Sequence, residues 1–252
     1  MGKLDGKVAL ITGSGRGMGK SHAKLMAKEG AGVIVHDIDA ALVEEAAAEV
    51  RQFGGKVHTI VCDVADVDAY PKAIAAAGKA MGGHIDILVN NAGIDTPGTI
   101  EEITTEAWQR MFDIHVKGAF LGAKSVVPGM KERRQGKIVN VSSIWGMVGH
   151  SSHSHYCGAK AALLGLTKAW AKELAPFNVM VNAIAPGLVT TEMVLKKGGM
   201  EYVNQAAEKV PLKRSADVIE MSYTVLFLSC HESDFVTGQV ISPNGGDTIV
   251  GI

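Results

Sequence analysis

The fold is decided by the stretch KVALITGSGRGMG, residues 7–19. It begins with a short apolar run rich in branched side chains, which is typical of a strand buried on both faces. Four glycines then follow at alternate positions from 13 to 19, and the next segment, KSHAKLMAKEG, ends at Gly30. Glycines in this arrangement let the backbone turn sharply and approach a pyrophosphate, whose charge is met by a helix N-terminus. The stretch therefore predicts a strand, a phosphate-binding loop and a helix.

The same loop is one residue away from a second phosphate-binding motif. The segment SGRGMGKS, residues 14–21, matches G-x-x-x-x-G-K-S/T except that Ser14 stands in the place of the first glycine. In that interpretation Lys20 would contact the terminal phosphates and Ser21 would bind magnesium. Against it, the next apolar run ends in Asp37, near the spacing at which a dinucleotide fold places its ribose-binding carboxylate. The loop alone leaves both interpretations open.

Asp37 bears on the choice of cofactor. A carboxylate at this strand end accepts hydrogen bonds from the 2′- and 3′-hydroxyls of a ribose and repels a 2′-phosphate. Arg16 in the glycine loop favours the opposite choice, because a guanidinium can pair with a 2′-phosphate. Asp37 can also be an ordinary helix cap, although Asp39 suits that role equally well. We give Asp37 more weight, and the sequence predicts NAD rather than NADP.

Seven short apolar runs alternate with segments of helical spacing along the whole chain. The runs are residues 7–12, 32–37, 56–61, 85–90, 137–143, 178–184 and 238–242. The alternation predicts an α/β fold of the Rossmann type, with a doubly wound, seven-stranded, mostly parallel sheet and helices on both faces. No linker or repeat divides the chain, so we predict one dinucleotide-binding and catalytic domain over residues 1–252. The long stretch at about 186–215 lacks clear periodicity, and we expect a substrate lid there.

Composition limits the classes of partner. The chain has 252 residues, with 25 basic and 26 acidic side chains and a net charge of −1. Such a balance gives no strong field for nucleic acid or acidic lipid, so we expect a small-molecule substrate. No apolar run suits a signal peptide or a membrane span, and the three widely spaced cysteines suit reduced thiols. We therefore expect a cytoplasmic protein.

Tyr156 and Lys160 are four residues apart, so on a helix they share one face. A nearby ammonium favours the phenolate and lowers the pKa of a tyrosine, which makes Tyr156 a candidate acid/base. Ser143, at the end of the run KIVNVSS, is placed to hold a substrate oxygen at the same point.

Taken together in chain order, these motifs make the chain resemble the short-chain dehydrogenase/reductase family, in particular its 3-oxoacyl-acyl-carrier-protein reductase branch. The resemblance covers nearly the whole chain, and the ordered set of motifs is far more specific than any one of them. The motifs are T-G-x-x-x-G-x-G from Thr12 to Gly19, Asp63-Val64, Asn90-Asn91-Ala92-Gly93, Ser143, Tyr156-x-x-x-Lys160, and Pro186-Gly187 followed by Thr191. It favours the dinucleotide interpretation of the glycine loop and implies a homotetramer, with the helices that start near 104 and 155 packing between subunits.

The resemblance implies roles for the matched residues. Tyr156 would exchange a proton with the substrate oxygen while hydride moves between the substrate carbon and C4 of the nicotinamide. Ser143 would polarise that oxygen, and Lys160 would lower the tyrosine pKa and bind the nicotinamide ribose. Asp63 would hold the adenine amino group, and Thr191 would contact the carboxamide. The implied cofactor-binding residues are Gly13, Arg16, Gly17, Met18, Gly19, Asp37, Asp63, Val64, Asn91, Ala92, Gly93, Tyr156, Lys160, Pro186, Gly187, Val189 and Thr191.

The chain departs from the family pattern at one catalytic position. The family has asparagine in N-x-x-G on the long helix after the N-N-A-G turn, whereas this chain reads FDIHVKGAF, with His115 at that position and Gly118 retained. An imidazole donates and accepts hydrogen bonds, so His115 can take the place of asparagine in a proton relay, with a charge that varies across neutral pH. The alternative is a partly buried histidine satisfied by a backbone group. We include His115 as the fourth catalytic candidate.

The segment HSSHSHYCGAK, residues 150–160, places three histidines before the catalytic tyrosine. The spacing H-x-x-H-x-H in a serine-rich loop fits neither a helical metal site nor a strand pair, so we expect no metal. By the family pattern the segment lines the substrate pocket, and we expect Trp145, His153 and Asp95 to face the substrate with Ser143 and Tyr156. These side chains suggest a substrate with a ring or apolar surface and polar groups.

The sequence therefore predicts an oxidoreductase that interconverts a secondary alcohol and a ketone with NAD(H). A related alternative is an NADPH-dependent reductase of 3-oxoacyl thioesters, for which Lys196, Lys197, Lys213 and Arg214 near the lid would receive an acidic carrier protein. A third alternative, of a different class, is a nucleotide-binding regulator that has lost turnover through the change at His115.

Overall fold

The computed structural model describes residues 2–250 and is built around one sheet of seven strands. All strand pairs are parallel, and the order across the sheet is β3-β2-β1-β4-β5-β6-β7. The strands are β1 (Val8–Thr12), β2 (Gly32–Asp37), β3 (Val57–Val61), β4 (Ile87–Asn90), β5 (Gly136–Val141), β6 (Val179–Ile184) and β7 (Val240–Ile241). The predicted fold class is confirmed. The outer limits of the predicted domain, residues 1, 251 and 252, lie outside the described residues.

Helices connect the strands on both faces of the sheet. They are α1 (Gly17–Lys28), α2 (Ala40–Arg51), α3 (Ala69–Ala80), α4 (Thr105–Phe112), α5 (Gly118–Arg133), α6 (Trp145–Val148), α7 (Ser154–Leu174), α8 (Glu192–Leu195), α9 (Gly199–Ala207) and α10 (Val218–Ser229). A π-helical turn, Asp113–Lys117, separates α4 from α5. Within residues 2–250 no helix combines the length and the apolar character needed to cross a membrane.

The core has two parts, one on each face of the sheet. Alternate residues of a strand point to opposite faces, so Ala9 and Ile11 of β1 pack with α1, α2 and α10, whereas Val8 and Leu10 pack with α3, α5 and α7. All five residues of β1 are buried. Each fully buried Val, Leu or Ile side chain contributes about 1.5–3 kcal/mol relative to an exposed one. This burial explains why the strands of a parallel sheet appear as continuous apolar runs.

The sheet reverses its winding between β1 and β4. Strands β2 and β3 extend the sheet to one side of β1, and β4 begins its extension to the other side. In an open parallel sheet the crevice at such a point, at the carboxyl ends of the strands, is where ligands bind. The glycine loop, the N-N-A-G turn and the Ser143 segment all follow strands at this edge.

The expected lid leaves and rejoins the fold at one place. Val189 forms a bridge with Ala216, and the hydroxyls of Thr190 and Ser215 lie 2.7 Å apart. Between these contacts the chain forms the short helices α8 and α9. The predicted lid segment is therefore a loop whose two ends are held together. It contains two short helices, which the weak periodicity of its sequence did not predict.

Candidate active site

The glycine loop brings its backbone close to neighbouring segments. Gly13 has a φ of 62°, and a Cβ on it would come within 2.8 Å of Ala92 Cα. A Cβ on Gly19 would overlap the Gly13 carbonyl group. The first turn of α1 has no acidic side chain, and Arg16 at its N-cap makes no side-chain capping bond. These features fit a dinucleotide, because they leave the helix N-terminus with amide donors for a pyrophosphate.

A side-chain clamp joins the ends of β1 and β4. The Thr12 hydroxyl accepts hydrogen bonds from the amides of Asn91 (3.0 Å) and Ala92 (2.9 Å). The Asn91 side-chain amide also donates hydrogen bonds to the carbonyl oxygens of Thr12 (2.8 Å) and Gly13 (3.1 Å). Asn91, predicted to lie along the cofactor, thus also fixes the start of the glycine loop.

Asp37 lies against the glycine loop rather than at a helix cap. Its Oδ2 accepts a 3.1 Å hydrogen bond from the Gly15 amide, and the cap of α2 is formed by Asp39.

The side chains that the magnesium-binding interpretation requires are engaged elsewhere. Lys20 Nζ contacts Glu45 and Glu49 at 3.0 and 2.8 Å, and the Ser21 hydroxyl pairs with another serine. The geometry favours the dinucleotide interpretation.

Two predicted cofactor residues make ion pairs. Arg16 Nη1 lies 3.7 Å from Glu192 Oε2 of α8, with both side chains at least half exposed, so the pair is weak. Asp63 accepts a 2.9 Å hydrogen bond from the Ala65 amide and a 2.7 Å contact from Arg110. Asp63 therefore keeps only its remaining lone pairs for an adenine amino group.

The other predicted cofactor residues border the same crevice. Val64 is buried beneath the π-helical turn, and Met18 packs against the core below α1. A Cβ on Gly187 would come within 2.8 Å of Asn244 Cα, and the carbonyl of Pro186 accepts from the Ile144 amide. Val189 is buried, and the Thr191 hydroxyl caps α8 by accepting from the Val194 amide at 3.3 Å.

Ser143, Tyr156 and Lys160 come together beyond the end of β5. Ser143 follows the strand by two residues, its hydroxyl accepts a 3.2 Å hydrogen bond from the Trp145 amide, and its proximity lowers the pKa of Tyr156. Lys160 is buried, donates a 2.7 Å hydrogen bond to the Val141 carbonyl, and holds its Nζ 5.5 Å from the centre of the Tyr156 ring. The three side chains that the sequence selects are thus adjacent.

The electrostatics of the pair differ from the prediction of a lowered tyrosine pKa. Desolvation raises the pKa of Tyr156 above its usual value; the charge of Asp95 adds to this, and the nearby Ser143 hydroxyl opposes it. Burial lowers the pKa of Lys160 to about 7, although Asp95 acts in the opposite direction. The interior penalises the charged form of each group more than their proximity favours it.

His115 lies directly beside the catalytic tyrosine. Its ring meets Tyr156 edge-on with centroids 5.5 Å apart, and the Ile94 backbone engages its Nε2 at 2.8 and 3.0 Å. Its Nδ1 is buried without a hydrogen-bond partner among residues 2–250. Burial, supported by the charge of Lys160, holds the pKa of His115 well below its ordinary value. The expectation that its charge varies across neutral pH is therefore wrong, because the imidazole stays neutral there.

The three histidines of the 150–155 segment have separate environments. His150 stacks on Trp145 at 4.0 Å, His153 faces Asp95 at 3.4 Å, and His155 Nε2 lies 3.1 Å from the Thr96 hydroxyl. Trp145 in turn meets Tyr156 edge-on at 5.9 Å. The predicted substrate residues Trp145, His153 and Asp95 are therefore next to one another and to the catalytic tyrosine.

Lys197 lies among the predicted substrate residues, whereas the sequence offered it only as part of a basic surface for an acidic carrier protein. Its Nζ lies 2.6 Å from Asp95 Oδ2 and 5.0 Å from the centre of the Trp145 ring. The sequence places it with Lys196 in a stretch without periodicity, 102 positions after Asp95 (197 minus 95). No local signal separates these two lysines, since the distinction depends on how the lid folds back.

The comparisons with known proteins agree with this geometry. A family model described as short chain dehydrogenase matches residues 7–201. The chain is 40% identical to the 3-oxoacyl-[acyl-carrier-protein] reductase of Thermotoga maritima, over 97% of this chain and 98% of that protein. It is 39% identical to the cyclopentanol dehydrogenase of Comamonas testosteroni, over 98% of this chain and 99% of that protein.

A solved structure extends the likeness to the whole fold. The carveol dehydrogenase of Mycobacterium avium, in complex with NAD, has a TM-score of 0.93 and 31% identity over 98% of this chain and 99% of that one. The fold and the site define a nucleotide-dependent oxidoreductase. The chain belongs to the short-chain dehydrogenase/reductase family, and its class acts on alcohols and ketones with NAD(P).

Proposed function

We propose that the protein interconverts a cyclic secondary alcohol and the corresponding ketone with NAD(H), and that Tyr156 is the proton donor and acceptor. One observation carries the proposal. Ser143 and Lys160 both lie close to Tyr156, with Lys160 Nζ 5.5 Å from the ring centre, at the carboxyl edge of the sheet where a dinucleotide fits.

Each of the four catalytic candidates would have a separate role in the reaction. Tyr156 gives its proton to the carbonyl oxygen in reduction and takes the hydroxyl proton in oxidation, a transfer that contributes typically 10²- to 10⁴-fold. Ser143 donates a hydrogen bond to the oxygen on which charge develops. Lys160 holds the nicotinamide ribose, and His115 supplies a neutral relay position through its free Nδ1. Bound NAD would accept the hydride in oxidation.

The preference for NAD rests on Asp37. Its carboxylate is fixed against the glycine loop by the Gly15 amide. There it would accept bonds from ribose hydroxyls and repel a 2′-phosphate. Arg16, the residue that favours NADP, makes a weak, exposed contact with Glu192. The likeness to a carveol dehydrogenase in complex with NAD supports the same choice.

The ring character of the substrate is inferred from an aromatic cluster. His150 stacks on Trp145, His153 is tilted by 56° to the same indole, and Trp145 meets Tyr156 edge-on. An apolar ring packs against such side chains, and it loses less conformational freedom on binding than a flexible acyl chain does. The relatives named for cyclopentanol and carveol support a cyclic alcohol.

Reduction of 3-oxoacyl thioesters is the second candidate, favoured by the likeness to the Thermotoga reductase. The basic residues expected to receive an acidic carrier protein are mostly engaged within the chain. Lys197 pairs with Asp95, Lys213 donates to the Glu208 carbonyl, and Arg214 pairs with Glu220. We therefore place the alcohol first.

The test follows absorbance at 340 nm. NAD and NADP are each assayed with cyclopentanol, cyclohexanol and linear secondary alcohols, and NADH and NADPH with cyclic ketones and acetoacetyl thioesters. We expect NAD-dependent oxidation of cyclic alcohols, a loss of about 10²- to 10⁴-fold in Tyr156→Phe, and unchanged binding of NADH to that variant.

Other outcomes would point elsewhere. A clear preference for NADPH with thioesters would select the second candidate, and an NADP(H) preference with alcohols would contradict the role of Asp37. Tight cofactor binding with no turnover of any compound would favour the regulator.

A further inference from the structure

Two buried polar atoms near the catalytic tyrosine face each other without forming a hydrogen bond. Asp95 Oδ1 and His153 Nε2 are 3.4 Å apart, and their side chains are only 5% and 8% exposed. Neither atom has a hydrogen-bond partner among residues 2–250. A buried polar atom left unsatisfied carries a substantial desolvation penalty, so such a pair calls for an explanation.

The remaining polar atoms of both side chains are occupied. Asp95 Oδ2 is held by Lys197 Nζ at 2.6 Å, which offsets the charge of the carboxylate. His153 Nδ1 lies 3.0 Å from the Ser151 carbonyl oxygen, which can only accept, so Nδ1 carries a proton. Each side chain is thus fixed through one atom and presents one free atom.

The free atoms lie beside the rings that surround the reacting tyrosine. The centre of the His153 ring is 4.7 Å from that of Trp145, and the centre of Trp145 is 5.9 Å from that of Tyr156. The charge of Asp95 also raises the pKa values of both Tyr156 and Lys160.

We propose that Asp95 and His153 form a subsite for a second hydroxyl group of the substrate, distinct from the hydroxyl that is oxidised. This inference rests on the proposed function and names its substrate class as cyclic diols and hydroxyketones. An ionised carboxylate only accepts hydrogen bonds, so the ligand hydroxyl donates its single proton to Asp95 Oδ1. Its oxygen then accepts a hydrogen bond from His153 Nε2, which requires that both ring nitrogens of His153 carry a proton. A substrate carboxylate at this point is repelled, because the Lys197 charge is already paired.

A site built to bind a hydroxyl discriminates against an analogue that lacks it, since its buried polar atoms stay unpaired. The experiment compares kcat/KM for cyclohexanol, the cis and trans isomers of 1,2-, 1,3- and 1,4-cyclohexanediol, and 4-hydroxycyclohexanecarboxylate. In the wild type we expect at least one diol to exceed cyclohexanol by about 10- to 100-fold. The carboxylate should fall below cyclohexanol.

Two variants and a matched control assign the effect. Asp95→Ala removes the acceptor, and His153→Phe keeps a ring on Trp145 without the nitrogen. In each, the ratio of diol to cyclohexanol kcat/KM should fall by about tenfold or more, toward the factor of two expected from two equivalent hydroxyls. His150→Phe replaces the imidazole that stacks on Trp145 and should change kcat/KM for the diol and for cyclohexanol alike, so that their ratio stays the same. A ratio is insensitive to partial loss of folded protein.

The outcomes separate the two proposals. Oxidation of cyclohexanol with no diol preferred in the wild type overturns the subsite and leaves the proposed function in place. Preference for the carboxylate also overturns the subsite, because it assigns Lys197 as the binding group. Absence of any alcohol oxidation with either cofactor overturns both.

Discussion

Burial shifts the pKa values of Tyr156 and Lys160 in opposite directions. Desolvation raises the pKa of the tyrosine and lowers that of the lysine to about 7, so both shifts favour the neutral forms. A neutral tyrosine is the form that donates a proton to a ketone. With a pKa of about 7, the buried lysine is close to half protonated at neutral pH. It can therefore gain or lose a proton there at a small cost in free energy.

Lys160 also predicts how stability depends on pH. Its folded pKa of about 7 lies below the ordinary lysine value of 10.5, so the unfolded chain binds more protons between these values and stability rises with pH. We expect Lys160→Met to lack this contribution. Urea unfolding from pH 6 to 9 should show the wild type gaining stability relative to the variant, by at most about 1.4 kcal/mol per pH unit above pH 7.

The matched control is Lys168→Met, an exposed lysine in the same helix. Its stability difference from the wild type should stay constant over the same range. A constant difference for Lys160→Met as well would mean that the lysine is charged throughout.

His115 predicts a pH-independent effect. Because burial keeps the imidazole neutral near pH 7, exchange for a neutral amide does not remove a titrating group. His115→Asn should therefore leave the pH profile of kcat/KM between pH 6 and 9 unchanged in shape, whatever its effect on the rate. A limb that disappears from the profile would show that His115 does titrate there.

At the level of single elements, periodicity predicted strands well and local distortions poorly. All seven apolar runs contain a strand, because burial on both faces requires continuous apolar sequence. The sequence predicted one long helix after the N-N-A-G turn, whereas the π-helical turn interrupts it at Asp113–Lys117. One widened turn changes few apolar positions, so it leaves no periodic signal, although such turns are frequent at functional sites.

An ion pair holds the lid against the turn after β4, and its removal tests whether the lid contributes to substrate binding. The pair between Lys197 and Asp95 joins the segment between α8 and α9 to the turn after β4, and it is mostly buried. Removing one partner of a buried pair costs about 3–5 kcal/mol. In Lys197→Met we expect faster hydrogen exchange of amides 192–207 and a higher KM for the alcohol.

The neighbouring exposed lysine supplies the control. Lys196→Met changes the same chemistry one position away and should alter neither the exchange nor KM. Equal protection of the lid in both variants would mean that other contacts hold it closed.

At the level of the whole molecule, the site is assembled from segments far apart in sequence. Short motifs at strand ends could be predicted, since a parallel sheet gathers those ends at one edge. Contacts such as Asp95 with Lys197 or His115 with Tyr156 depend on how loops and helices pack, and no spacing in the sequence encodes them. Their pKa consequences depend on burial and were predicted wrongly for that reason.

Assembly can be tested from the exposed apolar surface. Trp108 on α4 and Phe120 on α5 are 44% and 45% exposed. The helix that was expected to start near residue 104 and to pack between subunits corresponds to α4, which continues through the π-helical turn into α5. We propose a homotetramer, and light scattering should give four times the chain mass. Phe120→Glu should shift the protein to smaller species, because a charge in an apolar interface is left unpaired.

Val67→Glu is the corresponding control, since Val67 is 56% exposed in a turn outside these helices. It should leave the mass unchanged. A monomeric wild type would exclude the tetramer.

The contact between Gly93 and His115 constrains how this protein can evolve. A Cβ on Gly93 would overlap the imidazole ring, so alanine at 93 is incompatible with the present position of His115. An amide side chain is smaller than an imidazole and leaves more room there. The order of substitutions therefore matters: Gly93→Ala is expected to be deleterious alone and tolerated after His115→Asn, a case of epistasis between two positions 22 residues apart (115 minus 93).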